Sequence, residues 1–210
     1  GGFVEVSSGR TLTFNGSVRA GVDKRTGTLL LDPKDITIGS SGSGDITDVF
    51  ATNASDNSTI AASTINSTLT AGTNVVLQAN NDITLEVAIN VTSGGAALTL
   101  QAGRSVDINA NITTNDGALT LTANDTVANG VVNAQREDAA ATINLTGSTI
   151  NTGSGTFTAT ISAGADKTYS SSGDITLNTV TAGALVIENN GTTPGSDILG
   201  NGILTVAGTS

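Results

Sequence analysis

The sequence predicts an all-β fold: a right-handed parallel β-helix, a solenoid with coils of about 21–24 residues and a few loop insertions. Three observations carry that prediction. A five-residue block repeats, since Val75-Val76-Leu77-Gln78-Ala79 recurs as Leu98-Thr99-Leu100-Gln101-Ala102 and as Leu119-Thr120-Leu121-Thr122-Ala123, at steps of 23 and 21. A second register moves with it, because Ile83-Thr84-Leu85 maps by 23 onto Val106-Asp107-Ile108, and Ile89 onto Ile112. Turn-forming residues separate the apolar segments throughout.

The strands follow from period-two alternation, which puts one face of a strand in a core and the other in water. In chain order the apolar pairs are Val4/Val6, Leu12/Phe14, Leu29/Leu31, Ile36/Ile38, Leu98/Leu100, Val106/Ile108, Leu119/Leu121, Ile143/Leu145, Ile175/Leu177, Leu185/Ile187 and Leu204/Val206. Between them lie Asn15-Gly16, Asn80-Asn81-Asp82, Asp116-Gly117, Asn190-Gly191 and Asn201-Gly202, residues that accept the backbone angles of tight turns.

An antiparallel sandwich also has alternating strands, but it imposes no likeness between residues one coil apart. Stacked coils do, and Asn80, Gly103 and Asn124 fall at equivalent places after Ala79, Ala102 and Ala123. Right-handedness is expected because parallel crossovers almost always take that hand. At about 4.8 Å per coil the chain would build roughly nine coils, a rod about 40–45 Å long.

Three stretches break the repeat and are expected as insertions into a single domain spanning 1–210: 39–73, 125–141 and 162–173. In the first, Ile65 and Leu69 at i, i+4 suit one helical turn. The second holds the polar run Gln135-Arg136-Glu137-Asp138.

With 37% hydrophobic residues, no Trp, one Tyr and four Phe, the interior must be aliphatic. The net charge of −10 disfavours nucleic acid and anionic lipid as partners. Residues 1–34 run against that trend, with Arg10, Arg19, Lys24, Arg25 and Lys34 outnumbering Glu5, Asp23 and Asp32 by two. The remainder carries −12, a distribution of a solvated surface or of complementary rod ends. No segment is apolar enough to span a bilayer, and no export signal is evident. The opening Gly1-Gly2, in a chain without methionine, predicts a segment of a longer or processed polypeptide.

The chain has no His and no Cys, so Ser-His-Asp and Cys-His catalysis, disulfides and thiolate zinc sites are excluded. No catalytic, cofactor-binding or metal-binding residue is therefore assigned. A β-helical enzyme acting on polysaccharide would need carboxylates gathered on one face. By the repeat, Asp107 aligns with Thr84 and, at a step of 21, with Ala128, while Asp82 aligns with Ser105, so carboxylates are not stacked where the register can be read. Asp45/Asp48 and Asp82 read as turn formers rather than calcium ligands, and Gly39-Ser40-Ser41-Gly42-Ser43-Gly44 as a flexible loop. Asn-x-Ser/Thr triplets at Asn57, Asn66, Asn90, Asn111, Asn124, Asn144 and Asn190 follow from a composition rich in Asn, Ser and Thr.

Two further motifs carry a resemblance. Gly1-Gly2-Phe3-Val4-Glu5-Val6-Ser7-Ser8 and Leu29-Leu30-Leu31-Asp32-Pro33-Lys34-Asp35-Ile36-Thr37-Ile38 resemble the GGFVE(V/T)S and LLDPxxIxI motifs of bacterial exoproteins of the filamentous haemagglutinin type. The coils from Ile60 to Ala79 onward resemble that family's repeats. The resemblance implies a right-handed parallel β-helix, export through an outer-membrane two-partner transporter, and a secreted or cell-surface location on a Gram-negative-type bacterium. The segment then reads as the shaft of a fibre used in adhesion, aggregation or biofilm, self-associating end to end and without catalysis. Host or matrix glycans are the other partner to consider, through a carbohydrate-binding surface presented by loops such as 125–141.

Overall fold

The computed structural model describes residues 2–5, 19–20, 27–31, 34–41, 57–163, 172–191 and 196–207. Val6, Leu12/Phe14, Asn15-Gly16, Arg10, Lys24, Arg25, Asp32-Pro33, Gly42 to Gly44, Asp45/Asp48 and most of 162–173 lie outside the described residues.

Most described residues are in strands, and the strands form three parallel sheets that the chain visits in turn. It enters the first sheet with β1 (Phe3–Glu5) and β2 (Gly27–Leu31), then the second with β3 (Asp35–Gly39) and β4 (Asn57–Ala61). After helix α1 (Ala62–Thr70) come circuits with one strand per sheet. These are β5 (Thr73–Ala79), β6 (Ile83–Leu85), β7 (Ile89–Asn90), then β8 (Leu98–Ala102), β9 (Val106–Ile108), β10 (Ile112–Thr113). Next run β11 (Leu119–Ala123), β12 (Ala141–Asn144), β13 (Thr149–Asn151), and β14 (Thr156–Ile161), β15 (Ser172–Leu177), β16 (Thr179–Ala182). The last circuit is β17 (Ala184–Asn189), β18 (Ile198–Gly200) and β19 (Leu204–Val206). The first sheet runs β1-β2-β5-β8-β11-β14-β17, the second β18-β15-β12-β9-β6-β3-β4, the third β19-β16-β13-β10-β7.

Register explains the repeated block. Val75, Leu98 and Leu119 are partners in adjacent strands, as are Leu77, Leu100 and Leu121, so identical residues stack directly. All six are buried, and the aliphatics form one continuous core from Leu29 to Ala182. The ladders conserve volume where they change residue. Opposite Leu119, Leu121 and Ala123 of β11, strand β14 sets Phe157, Ala159 and Ile161. The larger ring, the smaller methyl and the larger aliphatic compensate along one strand, which close packing requires.

Among the described residues the longest sheets hold seven strands, against the nine coils expected from length. Excursions consume the difference: the step between register partners is 46 from Leu31 to Leu77 and 38 from Leu121 to Ala159, against 23 from Leu77 to Leu100. At about 4.8 Å per strand, seven strands span about 30 Å between the first and last.

The stretch 39–73, in its described residues 39–41 and 57–73, is also more ordered than a loop. It contains β4, parallel to β3, and a nine-residue helix in place of the single turn expected. Ile65 and Leu69 are buried as their spacing predicts. Helix α1 packs beside β7, and Asn66 Oδ1 accepts a hydrogen bond from the Asn90 backbone N–H at 2.8 Å, satisfying a donor on the first strand of the third sheet. At the other extreme, Leu204 and Val206 are in register with buried Val180 and Ala182 yet stand 44% and 52% exposed.

Candidate functional site

The corner between the first and second sheets gathers the molecule's densest polar network among the described residues. Three passages through it place polar residues just before a second-sheet strand: Lys34 before β3, Asn81-Asp82 before β6, Arg104-Ser105 before β9. Because Ile36, Ile83 and Val106 are register partners, Asp35, Asp82 and Ser105 stack in one column.

The column is tied by backbone-to-carboxylate bonds. Asp35 Oδ1 accepts from the Asp82 N–H at 3.0 Å and from Asn81 Nδ2 at 2.8 Å. Asp82 Oδ1 accepts from the Ser105 N–H at 3.0 Å and from Arg104 Nε at 2.8 Å, and Arg104 Nη2 pairs with Asp82 Oδ2, giving a two-pronged ion pair. Asp82 meets Ser105 as the repeat aligns them, while the Asp35–Asp82 stack lies outside the register that the repeat gives. The repeat was readable only over steps near 22, and Asp35 and Asp82 are 47 residues apart across 39–73. Asp107 likewise faces Thr84, as aligned, but its other partner is Asn144 and not Ala128, because 125–141 intervenes.

Segment 125–141 lies over this corner. Two single 3-10 turns, Val127–Asn129 and Asn133–Gln135, fold it back on the circuits. Asn80 accepts from the Val132 N–H at 2.9 Å and donates to Gln135 Oε1; Asn81 accepts from the Glu137 N–H at 3.1 Å. Asn124 Oδ1 accepts from Arg136 Nη2 at 2.7 Å, and its own Nδ2 donates to the Ser162 carbonyl at 2.8 Å. Glu137 then reaches Lys34 at 3.0 Å and Arg104 at 3.4 Å. The segment read from sequence as a presented loop is a strap, bonded to residues of several circuits. Of the aligned trio, buried Asn80 and Asn124 hold the strap, and Gly103 leaves room for it. A Cβ at Gly103 would come within 2.1 Å of the Asn80 carbonyl oxygen and 2.9 Å of Val131 Cγ1.

Asp35, Thr37, Asn81, Asp82, Thr84, Arg104 and Glu137 line a cleft of about 300 Å3. Its charges are largely spent on one another. The hydrogen bond to Glu137 raises the Lys34 ammonium, the bond to Asp82 raises the Arg104 guanidinium, and Lys34 lowers the Glu137 carboxyl. Asp107, beside the cleft on β9, is the exception: burial first, then the Asp82 charge, raises its carboxyl above the ordinary range. Among the described residues, no group of three or more His, Cys, Asp or Glu is placed to hold a metal ion, and no helix is long and apolar enough to cross a membrane.

The opposite corner, from third sheet to first, has a simpler device. Gly117, Gly155 and Gly183 each stand two residues before an inward residue of the first sheet, Leu119, Phe157 or Leu185. A Cβ at Gly117 would lie 2.0 Å from the Ala96 carbonyl oxygen, at Gly155 2.4 Å from that of Gly117, and at Gly183 2.1 Å from that of Ser154. Backbone rests on backbone there. This column went unread although its sequence signal, Gly-x-Leu or Gly-x-Phe, is present.

Among the triplets, Asn124 is buried, Asn66, Asn111 and Asn144 use their side-chain oxygens on backbone N–H groups, and Asn90 is exposed.

Compared with protein families, with curated proteins and with solved structures, the chain has no match in any of the three.

Proposed function

We propose that the chain is a non-catalytic shaft segment of a secreted bacterial surface fibre serving adhesion, aggregation or biofilm, with its three sheets wound as one right-handed parallel β-helix. The observation that carries this reading is the continuous interior: inward ladders stay in register through both long excursions, while the polar side chains of the first-to-second corner bind the chain to itself. Hydrogen bonds between successive strands tie each circuit to the next, which resists extension along the stack. The sequence resemblance to filamentous haemagglutinin-type exoproteins supplies the export route, a two-partner outer-membrane transporter, and the cell-surface location.

End-to-end assembly would use strand edges: β1 and β4 at one end of their sheets, β17 and β18 at the other. Electron microscopy of the purified chain tests it. Rods longer than one copy are expected; uniform particles no longer than a single seven-strand stack, at all concentrations, would overturn the assembly.

A second reading rests on the cleft of Asp35, Asn81, Asp82, Arg104 and Glu137, whose carboxylates and amide suit the hydroxyl groups of a glycan. A glycan array run with the native chain and with Asp82→Asn decides it. Binding lost in the variant supports a carbohydrate-binding module, and depolymerisation of a polyuronate would make it an enzyme; no binding by the native chain removes both.

A further inference from the structure

We propose that the outward face of the first sheet pairs two copies of the chain, face to face, in a closed dimer. This goes beyond the shaft reading, because it concerns the side of the stack and not its ends.

The argument begins with charge. The chain carries −10, so two copies repel unless the touching surfaces are neutral. The five consecutive strands β2, β5, β8, β11 and β14 contain no Lys, Arg, Asp or Glu. Acidic residues enter this sheet only in its outermost strands, Glu5 in β1 and Glu188 in β17. A neutral centre with charge at the margin is the anatomy of a protein interface. The second sheet is disqualified by the same test, since Asp35, Asp107 and Asp174 recur across it in β3, β9 and β15.

The face is also ordered. Register puts Thr99, Thr120 and Thr158 in one row and Gln101, Thr122 and Thr160 in the next, all partly exposed. Threonine presents a methyl and a hydroxyl together, so such rows pack against and hydrogen-bond to a copy of themselves. The Gln78 amide already donates to Gln101 at 2.8 Å, which fixes both side chains before contact.

Size separates this face from the third sheet, which is also free of charged residues but whose strands are two to four residues long. Seven strands about 4.8 Å apart and about 17 Å long give roughly 570 Å2 per copy, or about 1,100 Å2 in all. That is near the lower bound for a specific interface, so the dimer is weak and reversible. A self-complementary face closes at two copies, whereas end-to-end stacking does not close.

Sedimentation equilibrium of the purified chain, over a series reaching high concentration, tests the proposal. Below the concentration at which end-to-end contact builds rods, the weight-average mass is expected to rise to a plateau at twice the monomer, with stronger pairing at high salt. Thr120→Lys with Thr158→Lys should keep the chain monomeric, while Thr113→Lys with Thr181→Lys, on the third sheet, should dimerise like the native chain. A chain monomeric throughout, or association unaffected by the first lysine pair, overturns the proposal; mass climbing with no plateau at two copies assigns the contact to the ends alone and overturns it while favouring the fibre. Should the lysines unfold the chain, a nitroxide on Thr120→Cys, its sole thiol, reads the same contact. Dipolar broadening that grows with concentration is expected there and not on Thr113→Cys, and equal or absent broadening overturns the pairing.

Discussion

The two corners of the first sheet solve the same problem with opposite means. Where the third sheet turns into the first, Gly117, Gly155 and Gly183 let successive circuits touch through bare backbone. Where the first turns into the second, Asn80, Asn81, Asn124 and Arg104 build a side-chain network that holds strap 125–141 and the Asp35–Asp82 column. The difference teaches where this fold tolerates insertion. On the way into β11, β14 and β17 the backbone-on-backbone corner carries no added chain, whereas the corner built from side chains turns its hydrogen bonds to strap 125–141; the entry to β5, outside that glycine column, carries helix α1 instead.

Breaking the glycine corner should have the largest effect. Gly155→Val puts a Cβ 2.4 Å from the Gly117 carbonyl oxygen and 2.9 Å from that of Asp116, backbone atoms with no flexible side chain to yield. A loss of at least 3 kcal/mol is expected, on the order of the largest single-residue effects, read as a lowered denaturant midpoint.

Loosening the other corner should cost less and act locally. Asn81→Ala removes the acceptor for the Glu137 N–H and a donor to Asp35, at about 1–3 kcal/mol for buried polar groups left without partners. Limited proteolysis should then cut within the strap first, leaving the β5 to β11 circuits intact; cleavage spread over the whole chain would show that the strap is not a separate unit.

Two carboxylates at the same corner sharpen the comparison through pH, with opposite signs. Glu137 is lowered by Lys34, so its contribution is present above the ordinary carboxylate range and fades as pH falls through its folded value. Asp107 is raised by burial, so it opposes folding as pH rises through the ordinary range toward its folded value. Asp107→Asn should therefore raise the melting temperature at neutral pH by a few degrees and leave it unchanged in acid. An equal rise at both pH values would show that its carboxylate is not strained by burial.

Much of this was legible in the sequence. The blocks ending in Ala79, Ala102 and Ala123 gave parallel stacking and its register, because identical side chains one circuit apart have no other simple cause. What stayed hidden had physical reasons. β4 lacks alternation, since buried Ser58 occupies an inward place opposite Ile36. The Asp35–Asp82 column spans the one excursion whose length is twice a circuit. The strap's polar run Gln135 to Asp138 looked solvated, yet Arg136 is 3% exposed, its charge held by the turn asparagine below it.

The central claim is that register survives the excursion through 125–141, so that residues far apart in sequence lie a fixed number of strands apart. Val76 and Val186 occupy the same outward row, four strands apart through Thr99, Thr120 and Thr158. Spin labels on Val76→Cys and Val186→Cys, in chain diluted into an excess of unlabelled chain so that only pairs within one copy are read, should give by pulsed electron resonance a single narrow distribution for backbones about 19 Å apart. A broad distribution, or one centred well beyond the reach of the label linkers from that separation, would contradict the account.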